Sequence, residues 1–292
     1  MGEVSIESVM EYVRSNPSVA MGVVVAAVVL VLTPFVLQYL LVGFGKSGSV
    51  ALAGKNVPRK FMLISKKAVS PNTRIFRFAL EHPDQKLGLY LGGHVQIAAQ
   101  VNGKLIKRQY TPISSEDDHG FFDLLIKIYP TGSLTPYLES LRPNVDEVSF
   151  TGPSGKFKYE KGQVTSFGMI AGGTGLTPMW QIFTAILKDP TDTCKVSLIY
   201  ANVSAEDILL KASLDKLAAE HSDRFSVYYV LNEPPTSWKS GVGFVSEEMI
   251  RDHIGLPAPK KKVLMCGPPP MIRAMRAHCG RVGYSDNEIF GF

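Results

Sequence analysis

The hydrophobic pattern of the chain changes its period near residue 160, and this change restricts the fold more than any other feature. From about Lys60 to Pro153, apolar residues alternate with polar ones in short runs, such as 95–101 and 122–128, which are separated by Asn-Gly and Pro/Gly turns. A period of two is typical of strands with one buried face. Residues 58–153 are therefore expected to form an antiparallel barrel or sandwich.

From about residue 167 onward, apolar strands alternate with helical patterns. The predicted strands lie at 167–171, 195–201, 225–231 and 263–266, and the predicted helices at 178–188, 206–220, 247–253 and 271–279. This alternation predicts a parallel sheet with helices on both faces over residues 167–292. Residues 154–166, which are polar and contain glycine, form the expected connection between the two domains.

The N-terminal region has no charged side chain between Arg14 and Lys46, and residues 19–44 are almost wholly apolar. A helix of ~24 residues is ~36 Å long, enough to cross the ~30 Å hydrocarbon core of a membrane. A cleaved signal peptide or a buried helix of a soluble domain would show a similar run, although the acidic start of the chain argues against a signal peptide. The expected segments are an N-terminal stretch (1–18), a transmembrane anchor (19–44) and a linker (45–57).

Charge and cysteine content indicate the compartment and the partners. Lys and Arg residues follow the apolar run, and the first acidic residue after it is Glu81, so the positive-inside rule predicts that the bulk of the chain is cytosolic. The net charge of +5 favours acidic partners or an anionic membrane, and no nucleic-acid-binding signature accompanies it. Cys194, Cys266 and Cys279 are too few and too irregularly spaced for a disulfide framework or a metal site, which fits a reducing compartment.

The first candidate site is the segment Arg108-Gln109-Tyr110-Thr111-Pro112-Ile113-Ser114, which follows a probable strand. Side chains two apart on an extended chain share a face, so Arg108, Tyr110 and Ser114 are expected to point the same way. A guanidinium, an aromatic ring and a hydroxyl suit a diphosphate attached to a stacked ring system. An ordinary hairpin edge carries the same residue types, so the motif alone leaves both interpretations open.

The next strand and the helix after it present further candidates. The expected core face of the strand is Phe122, Leu124, Ile126 and Ile128, and the opposite face, which could meet a ligand, is Leu125, Lys127 and Tyr129. After Gly132, Ser133 and Leu134, Thr135 is the expected N-cap of a helix and Pro136 its first residue. A helix N-terminus binds phosphate well, although capped helices without a ligand are common.

Two glycine-containing turns end predicted strands of the second domain. Gly172-Gly173-Thr174-Gly175-Leu176-Thr177-Pro178 lies between a strand and a helix, where glycines allow a pyrophosphate to approach the backbone. Cys266-Gly267-Pro268-Pro269-Pro270-Met271 follows a later strand. Because ligands collect at the carboxyl edge of a doubly wound sheet, the two turns are expected to flank one crevice. A tight strand-to-helix turn and a buried inert thiol are the alternatives.

In this order and over residues 58–292, the motifs resemble those of the ferredoxin reductase superfamily, and most closely the NADH-cytochrome b5 reductase family in its membrane-anchored, fungal-type form. Arg108-x-Tyr110-Thr111-x-x-Ser114 resembles the flavin motif, Gly172 to Met179 the nucleotide turn, Cys266 to Met271 the nicotinamide-side motif, and Phe292 the aromatic C-terminus. The resemblance implies an antiparallel β-barrel FAD-binding domain followed by an α/β nucleotide-binding domain. It also implies hydride transfer from NADH to FAD and then single-electron transfer to cytochrome b5.

The resemblance also implies a role for individual residues. The implied FAD contacts are Arg108, Gln109, Tyr110, Thr111, Ser114, Leu125, Lys127, Tyr129, Gly132, Ser133, Leu134, Thr135 and Thr177. The implied NADH contacts are Gly172, Gly173, Thr174, Gly175, Cys266, Gly267, Pro268, Met271 and Phe292. Supporting catalytic roles around flavin and nicotinamide fall to Lys127, Thr177 and Cys266. Three positions depart from the family pattern, since Gln109 replaces Pro, Ser133 a basic residue and Leu134 a Met.

Cofactor preference and location are further expectations. Residues 201–207, after the second strand of the nucleotide domain, contain no Arg to take a 2′-phosphate, so NADH is expected over NADPH. The resemblance implies a monomer anchored in the endoplasmic reticulum or the outer mitochondrial membrane, with its catalytic domain in the cytosol. A related reductase serving a small iron protein or a ferric chelate is one alternative, and a non-catalytic membrane adaptor is another.

Overall fold

The structure, a computed structural model, describes residues 15–16 and 50–292. The predicted anchor over 19–44 therefore lies outside the described residues. In the part of the chain that is described, no helix is both long enough and apolar enough to span a bilayer. Residues 50–292 contain two six-stranded sheets, and each organises one domain.

The first sheet is antiparallel throughout. Its strands are β1 (Gly54–Ser70), β2 (Thr73–Ala79), β3 (His94–Val101), β4 (Lys104–Tyr110), β5 (Phe121–Lys127) and β6 (Glu147–Ser154). Their order is β4-β3-β6-β1-β2-β5, and a short helix, α1 (Leu134–Ser140), lies between β5 and β6 in the chain. The predicted antiparallel sheet is confirmed, and this part of the chain is called the barrel domain below.

The sheet rolls up because β1 is long and irregular. Its first half pairs with β6 and its second half with β2, with register shifts in both ladders. Both ends of the sheet therefore contribute to one core, in which Phe78, Phe122 and Phe150 lie with ring centroids 4.9 to 5.4 Å apart. Within the described residues no ladder joins β4 to β5, so the barrel is open on that side.

The second sheet is parallel throughout, as predicted. Its strands are β7 (Ser166–Gly172), β8 (Lys195–Asn202), β9 (Phe225–Leu231), β10 (Gly241–Val242), β11 (Lys261–Cys266) and β12 (Ile289–Gly291), in the order β10-β9-β8-β7-β11-β12. Its helices are α2 (Leu176–Lys188), α3 (Lys211–Glu220), α4 (Glu247–His253) and α5 (Pro269–Val282). This part of the chain is called the parallel-sheet domain below.

Helices cover both faces of the parallel sheet because its strands are apolar on both sides. Met169 of β7 packs in the core beneath α2 and α3, and the adjacent Ile170 packs in the core beneath α4 and α5. The chain runs outward from β7 to β10 and then returns to β11 on the other side of β7. Ligands of such sheets bind where the strand order reverses, at the carboxyl ends of β7 and β11.

Two predicted helix boundaries are wrong. The helix predicted over 206–220 begins only at Lys211, because Leu210 adopts a left-handed φ of 55° and the buried Leu209 donates its N–H to Tyr200 Oη at 3.3 Å. Helix α1 begins at Leu134, so Thr135 is not the N-cap. The Thr135 hydroxyl instead accepts from Tyr129 N–H at 3.0 Å and so closes the turn before the helix.

Candidate cofactor-binding cleft

One large cleft of about 1440 Å³ opens between the two domains, at the carboxyl edge of the parallel sheet. The predicted site residues that line it are Gln109, Tyr110, Thr111, Leu125, Lys127, Tyr129, Thr135, Gly172, Gly173, Thr174, Gly175, Thr177, Cys266, Gly267, Pro268, Met271 and Phe292. Segments more than 150 residues apart along the chain (109–111 and 266–271) thus meet in one place.

The two glycine-containing turns of the parallel-sheet domain are packed against each other. A Cβ at Gly175 would lie 2.2 Å from the backbone oxygen of Cys266, closer than any side chain can approach. Because β7 and β11 are paired neighbours in the sheet, their carboxyl ends bring the turns together. The prediction that these turns flank one crevice is confirmed, and only glycine at position 175 permits it.

Two hydrogen bonds to backbone oxygens hold the first of these turns in place. Tyr200 Oη donates to Gly173 O at 3.1 Å, and Thr177 Oγ1 donates to Thr174 O at 3.2 Å. Burial raises the pKa of Tyr200 well above its ordinary value, so its hydroxyl stays protonated and remains a donor. The turn therefore presents its backbone to the cleft in a fixed conformation.

Cys266 lies beside this turn and lines the cleft. Burial raises the pKa of its thiol to about 11. The sulfur is therefore uncharged at physiological pH and is not an activated nucleophile. An uncharged sulfur at this position suits van der Waals contact with a flat heteroaromatic ring.

The barrel domain contributes polar residues and two aromatic rings, those of Tyr110 and Tyr129. Gln109 of β4 lies opposite Gln96 of β3, and both line the cleft. Tyr110 is half-buried beside them, and burial raises its pKa to about 12, so it is neutral at physiological pH. The buried Leu125 provides an apolar surface on the neighbouring wall.

An ion pair joins the two walls of the cleft. Lys127 Nζ, at the end of β5, lies 3.0 Å from Asp207 Oδ1, in the short 3-10 turn after β8. Burial acts to raise the pKa of Asp207, but the hydrogen bond and charge of Lys127, together with hydrogen bonds from Ser204, outweigh it and the pKa is lowered. The Asp207 carboxylate therefore remains ionised, at the junction between the two predicted cofactor sites.

Five predicted residues do not line the cleft: Arg108, Ser114, Gly132, Ser133 and Leu134. Arg108 and Tyr110 lie on the same face of β4, as predicted, but of Arg108, Tyr110 and Ser114 only Tyr110 lines the cleft. Arg108 lies opposite Ile97, whose side chain points into the barrel core, and Arg108 Nη1 donates to Lys107 O at 2.8 Å. Ser114 lies beyond the end of β4 and accepts from Asp123 N–H at 3.1 Å. Whether these five residues contact FAD stays a prediction.

The cleft is also lined by residues that were not predicted from the sequence: His94, Gln96, Thr151, Asn202 and Phe244. His94 Nε2 and Asn202 Oδ1 are buried and have no hydrogen-bond partner among the described residues. Unpaired polar atoms of this kind are costly unless a ligand or water satisfies them. Burial and the nearby Lys55 lower the pKa of His94, so its ring is neutral and can donate or accept a single bond at Nε2.

The C-terminus closes one side of the cleft. Phe292 N–H donates to Met265 O at 3.0 Å, which ties the last residue to β11. The Phe292 ring lies 5.7 Å from Phe157 and 5.0 Å from Phe290, between centroids. This cluster holds a partly exposed aromatic ring at the cleft, and its predicted contact with NADH stays a prediction.

Each of the two domains matches a known protein family. The oxidoreductase FAD-binding domain matches residues 60–159, and the oxidoreductase NAD-binding domain matches residues 169–277. These matches coincide with the barrel domain and the parallel-sheet domain.

Individual proteins are similar over most of the chain. The chain is 47% identical to NADH-cytochrome b5 reductase 1 of Dictyostelium discoideum, over 85% of this chain and 88% of that protein. It is 50% identical to the protein of the same name from Debaryomyces hansenii, over 80% of this chain and 84% of that protein. Among solved structures, the cytochrome b5 reductase domain of Ulva prolifera nitrate reductase is 34% identical, with a TM-score of 0.79 and coverage of 84% of this chain and 100% of that chain.

Proposed function

The chain belongs to the NADH-cytochrome b5 reductase family of FAD- and NAD-binding oxidoreductases, and we propose that it passes electrons from NADH through FAD to cytochrome b5. The observation that carries this proposal is the single cleft lined by both matched domains. When bound, FAD supplies the chemistry, since it accepts a hydride from nicotinamide and can release electrons one at a time. The residues of the chain bind, orient and shield the two cofactors.

The nucleotide wall fits NADH. The turn at 172–175 and the start of α2 offer backbone N–H groups to a pyrophosphate. Cys266 offers an uncharged surface to the nicotinamide, and Asn202 an unpaired side-chain oxygen that a ribose hydroxyl could satisfy. These residues would hold NADH at the carboxyl edge of the sheet.

The barrel wall fits a flavin. Tyr110 and Leu125 offer apolar surface for a ring system, and Gln96 and Gln109 offer amide groups that can bond to a pyrimidine edge. The unpaired His94 Nε2 is a further partner for a polar ligand atom. Lys127 places a positive charge where the two cofactor sites meet, which would favour electron-rich flavin over oxidised flavin.

NADH is proposed as the donor in preference to NADPH. Residues 201–207 contain no Arg, and the exposed carboxylate of Glu206 lies in this segment beside Asp207, which is paired with Lys127. A 2′-phosphate there would meet negative charge instead of a guanidinium. The ratio of kcat/KM for NADH and NADPH tests this point, and comparable values for the two cofactors would contradict it.

We further propose that residues 19–44 anchor the enzyme in the endoplasmic reticulum or the outer mitochondrial membrane, with the catalytic domain in the cytosol and the protein monomeric. The uncharged apolar run and the basic residues after it support this topology. Protease protection of the full chain in intact organelles tests it. Protection of residues 50–292 from added protease would contradict it.

The acceptor is tested by steady-state turnover of the full chain with NADH and a panel of acceptors. The proposal expects kcat/KM for cytochrome b5 to exceed that for a small iron protein or a ferric chelate. Preference for either of those acceptors would retain the flavoenzyme and replace the partner. A well-folded, colourless protein that binds no FAD would instead favour a non-catalytic adaptor.

A further inference from the structure

One buried glutamine connects the two domains at a point beside the cleft. Gln181 of α2, only 4% exposed, extends from the parallel-sheet domain into the barrel domain. Its Oε1 accepts from Gly92 N–H at 2.9 Å, and its Nε2 donates to Gly93 O at 3.3 Å and to Glu116 Oε1 at 2.9 Å. All three partners belong to the barrel domain.

These three bonds use both N–H groups and the oxygen of the amide. A buried amide with every group paired contributes rigidity, because any displacement leaves several polar groups unsatisfied. Trp180, the preceding residue, also crosses between the domains, since its Nε1 donates to Ile113 O at 3.1 Å. Two consecutive residues of α2 therefore tie the parallel-sheet domain to the barrel domain.

The segments held by Gln181 are those that carry cleft residues. Gln181 lies one helical turn after Thr177, so both are on the same side of α2. Gly92 lies two residues before His94, and both line the cleft. Glu116 lies shortly after the segment 108–114 that resembles the flavin motif. The Gln181 amide thus connects the turn at 172–178 to two segments of the barrel wall, the side of the cleft that the barrel domain forms.

The loop that contains Gly92 is closely packed against Phe157. A Cβ on Gly92 would lie 2.6 Å from Phe157 Cδ1 and 2.7 Å from Phe157 O, and its φ of +91° also favours glycine. Phe157 belongs to the connection between the domains, so the loop is packed between that connection and α2. A displacement of α2 would therefore be transmitted to the cleft.

Few charged groups surround the Gln181 amide. Burial raises the pKa of Glu116 to about 7, and the charge of Asp117 raises it further. The hydrogen bond from Gln181 and the charge of Lys86 act to lower the same pKa. Asp117 is itself paired with Lys86 and with Lys188 of α2, at 3.0 Å each. These outer ion pairs are exposed, and pairs of this kind contribute little to stability.

We propose that Gln181 is a positioning residue. Its three hydrogen bonds, called the clamp below, hold α2 against the barrel domain and so fix the spacing between the turn at 172–178 and the barrel wall. The inference rests on the proposed function, because the spacing matters for hydride transfer between cofactors held on opposite walls. Misplacement of reacting groups by about 1 Å can lower a rate about 100-fold. A small displacement of α2 therefore has a large expected effect on transfer and a small one on nucleotide affinity.

The test compares the full-length, FAD-loaded protein with Gln181→Leu, which keeps the bulk and removes all three bonds. Hydrogen exchange at 90–94 and 113–118 should become faster, without a change in the core strands of either sheet. The rate of flavin reduction at saturating NADH should fall about 10- to 100-fold, while the dissociation constant for NAD+ changes little. Lys188→Ala is the control, because it removes an exposed ion pair between the same two domains and should leave both readouts unchanged.

Gln181→Glu adds a signature that loss of stability alone would not produce. The introduced carboxylate can accept from Gly92 N–H but cannot donate, and it faces Glu116. Protonation of this carboxylate restores one donor. The rate of flavin reduction in Gln181→Glu, divided by the wild-type rate, should therefore rise as the pH is lowered from mildly alkaline to mildly acidic. The same ratio for Gln181→Leu should change less, because only Glu116 titrates at that contact.

Each outcome bears on the clamp separately from the proposed function. Exchange and reduction rates in Gln181→Leu that equal those of wild type would overturn the inference. So would a loss of rate that accompanies faster exchange throughout both domains, because that indicates general destabilisation. If NADH fails to reduce wild-type flavin, the proposed function fails, while the exchange comparison still decides whether Gln181 holds the two segments.

Discussion

The two walls of the cleft are built in different ways. The nucleotide wall consists of continuous turns, 172–178 and 266–271, each at the carboxyl end of a parallel strand. The barrel wall is assembled from single residues of β3, β4, β5 and β6, such as Gln96, Gln109 and Thr151, which antiparallel pairing brings side by side. The nucleotide wall therefore depends on local backbone conformation, and the barrel wall depends on the register of a whole sheet. Mutations that disturb only one of these features should affect the binding of only one cofactor.

The largest effect is expected from the aromatic core that sets the barrel register. Phe150→Ala should lower the free energy of unfolding by about 3–5 kcal/mol, because a fully buried ring leaves a cavity. The protein should lose FAD, since the strands that carry the flavin wall share this core. Urea denaturation and the flavin content of the purified protein measure both effects. Leu105→Ala, at a side chain that is 55% exposed on β4, is the control. If Phe150→Ala retained as much FAD as wild type, the claim that the aromatic core positions the FAD-binding strands would be contradicted.

The next effect is local to the nucleotide wall. Gly175→Ala places a Cβ 2.2 Å from Cys266 O, so the two turns must separate. We expect a loss of about 1–3 kcal/mol in unfolding free energy and a clear loss of affinity for NAD+, with FAD still bound. Calorimetric titration with NAD+ measures this. Gly280→Ala, where a Cβ meets nothing within 4 Å, is the matched control. Loss of FAD instead of NAD+ affinity would contradict the division between the walls.

A smaller effect is expected at the contact between the walls. Lys127→Ala should slow flavin reduction by NADH about tenfold, equivalent to about 1.4 kcal/mol, because the positive charge at the junction is lost. Stopped-flow absorbance measures the rate, and Lys216→Ala, in an exposed pair with Glu220, is the control. An unchanged rate would remove the proposed role of Lys127.

The ion pair between Lys127 and Asp207 also makes stability depend on pH. The folded-state pKa of Asp207 is lowered, so its contribution to stability is present above the ordinary Asp pKa of ~3.9 and is lost as pH falls through the folded value. Wild type should therefore lose more stability than Lys127→Ala on acidification through this range. Parallel acid shifts in the melting temperature of the two proteins would contradict this.

The smallest effect tests a single residue of the barrel wall. Gln96→Leu should weaken FAD binding by about 0.5–1.5 kcal/mol, the usual net value of one hydrogen bond. Gln100→Leu, on the same side of β3 but outside the cleft, should bind FAD as wild type does. Equal FAD affinity for the two variants would show that the register of β3 does not position a flavin contact.

The same contrast explains what the sequence could predict. The turns at 172–178 and 266–271 were recognisable because glycine, proline and strand residues are adjacent in the chain. The cleft residues Gln96 and Thr151 were not, because no local signal sets the pairing of β3 with β4 and β6. His94, Asn202 and Gln181 were missed for a related reason, since their significance comes from partners distant in sequence.

The central claim is that the two walls hold FAD and NADH in one cleft, close enough for direct transfer. Anaerobic addition of NADH to the purified full-length, FAD-loaded protein, followed by oxidised cytochrome b5, tests it most directly through flavin and haem absorbance. The account predicts rapid bleaching of bound flavin by NADH and then reduction of the haem. Bound flavin that NADH fails to bleach would contradict it.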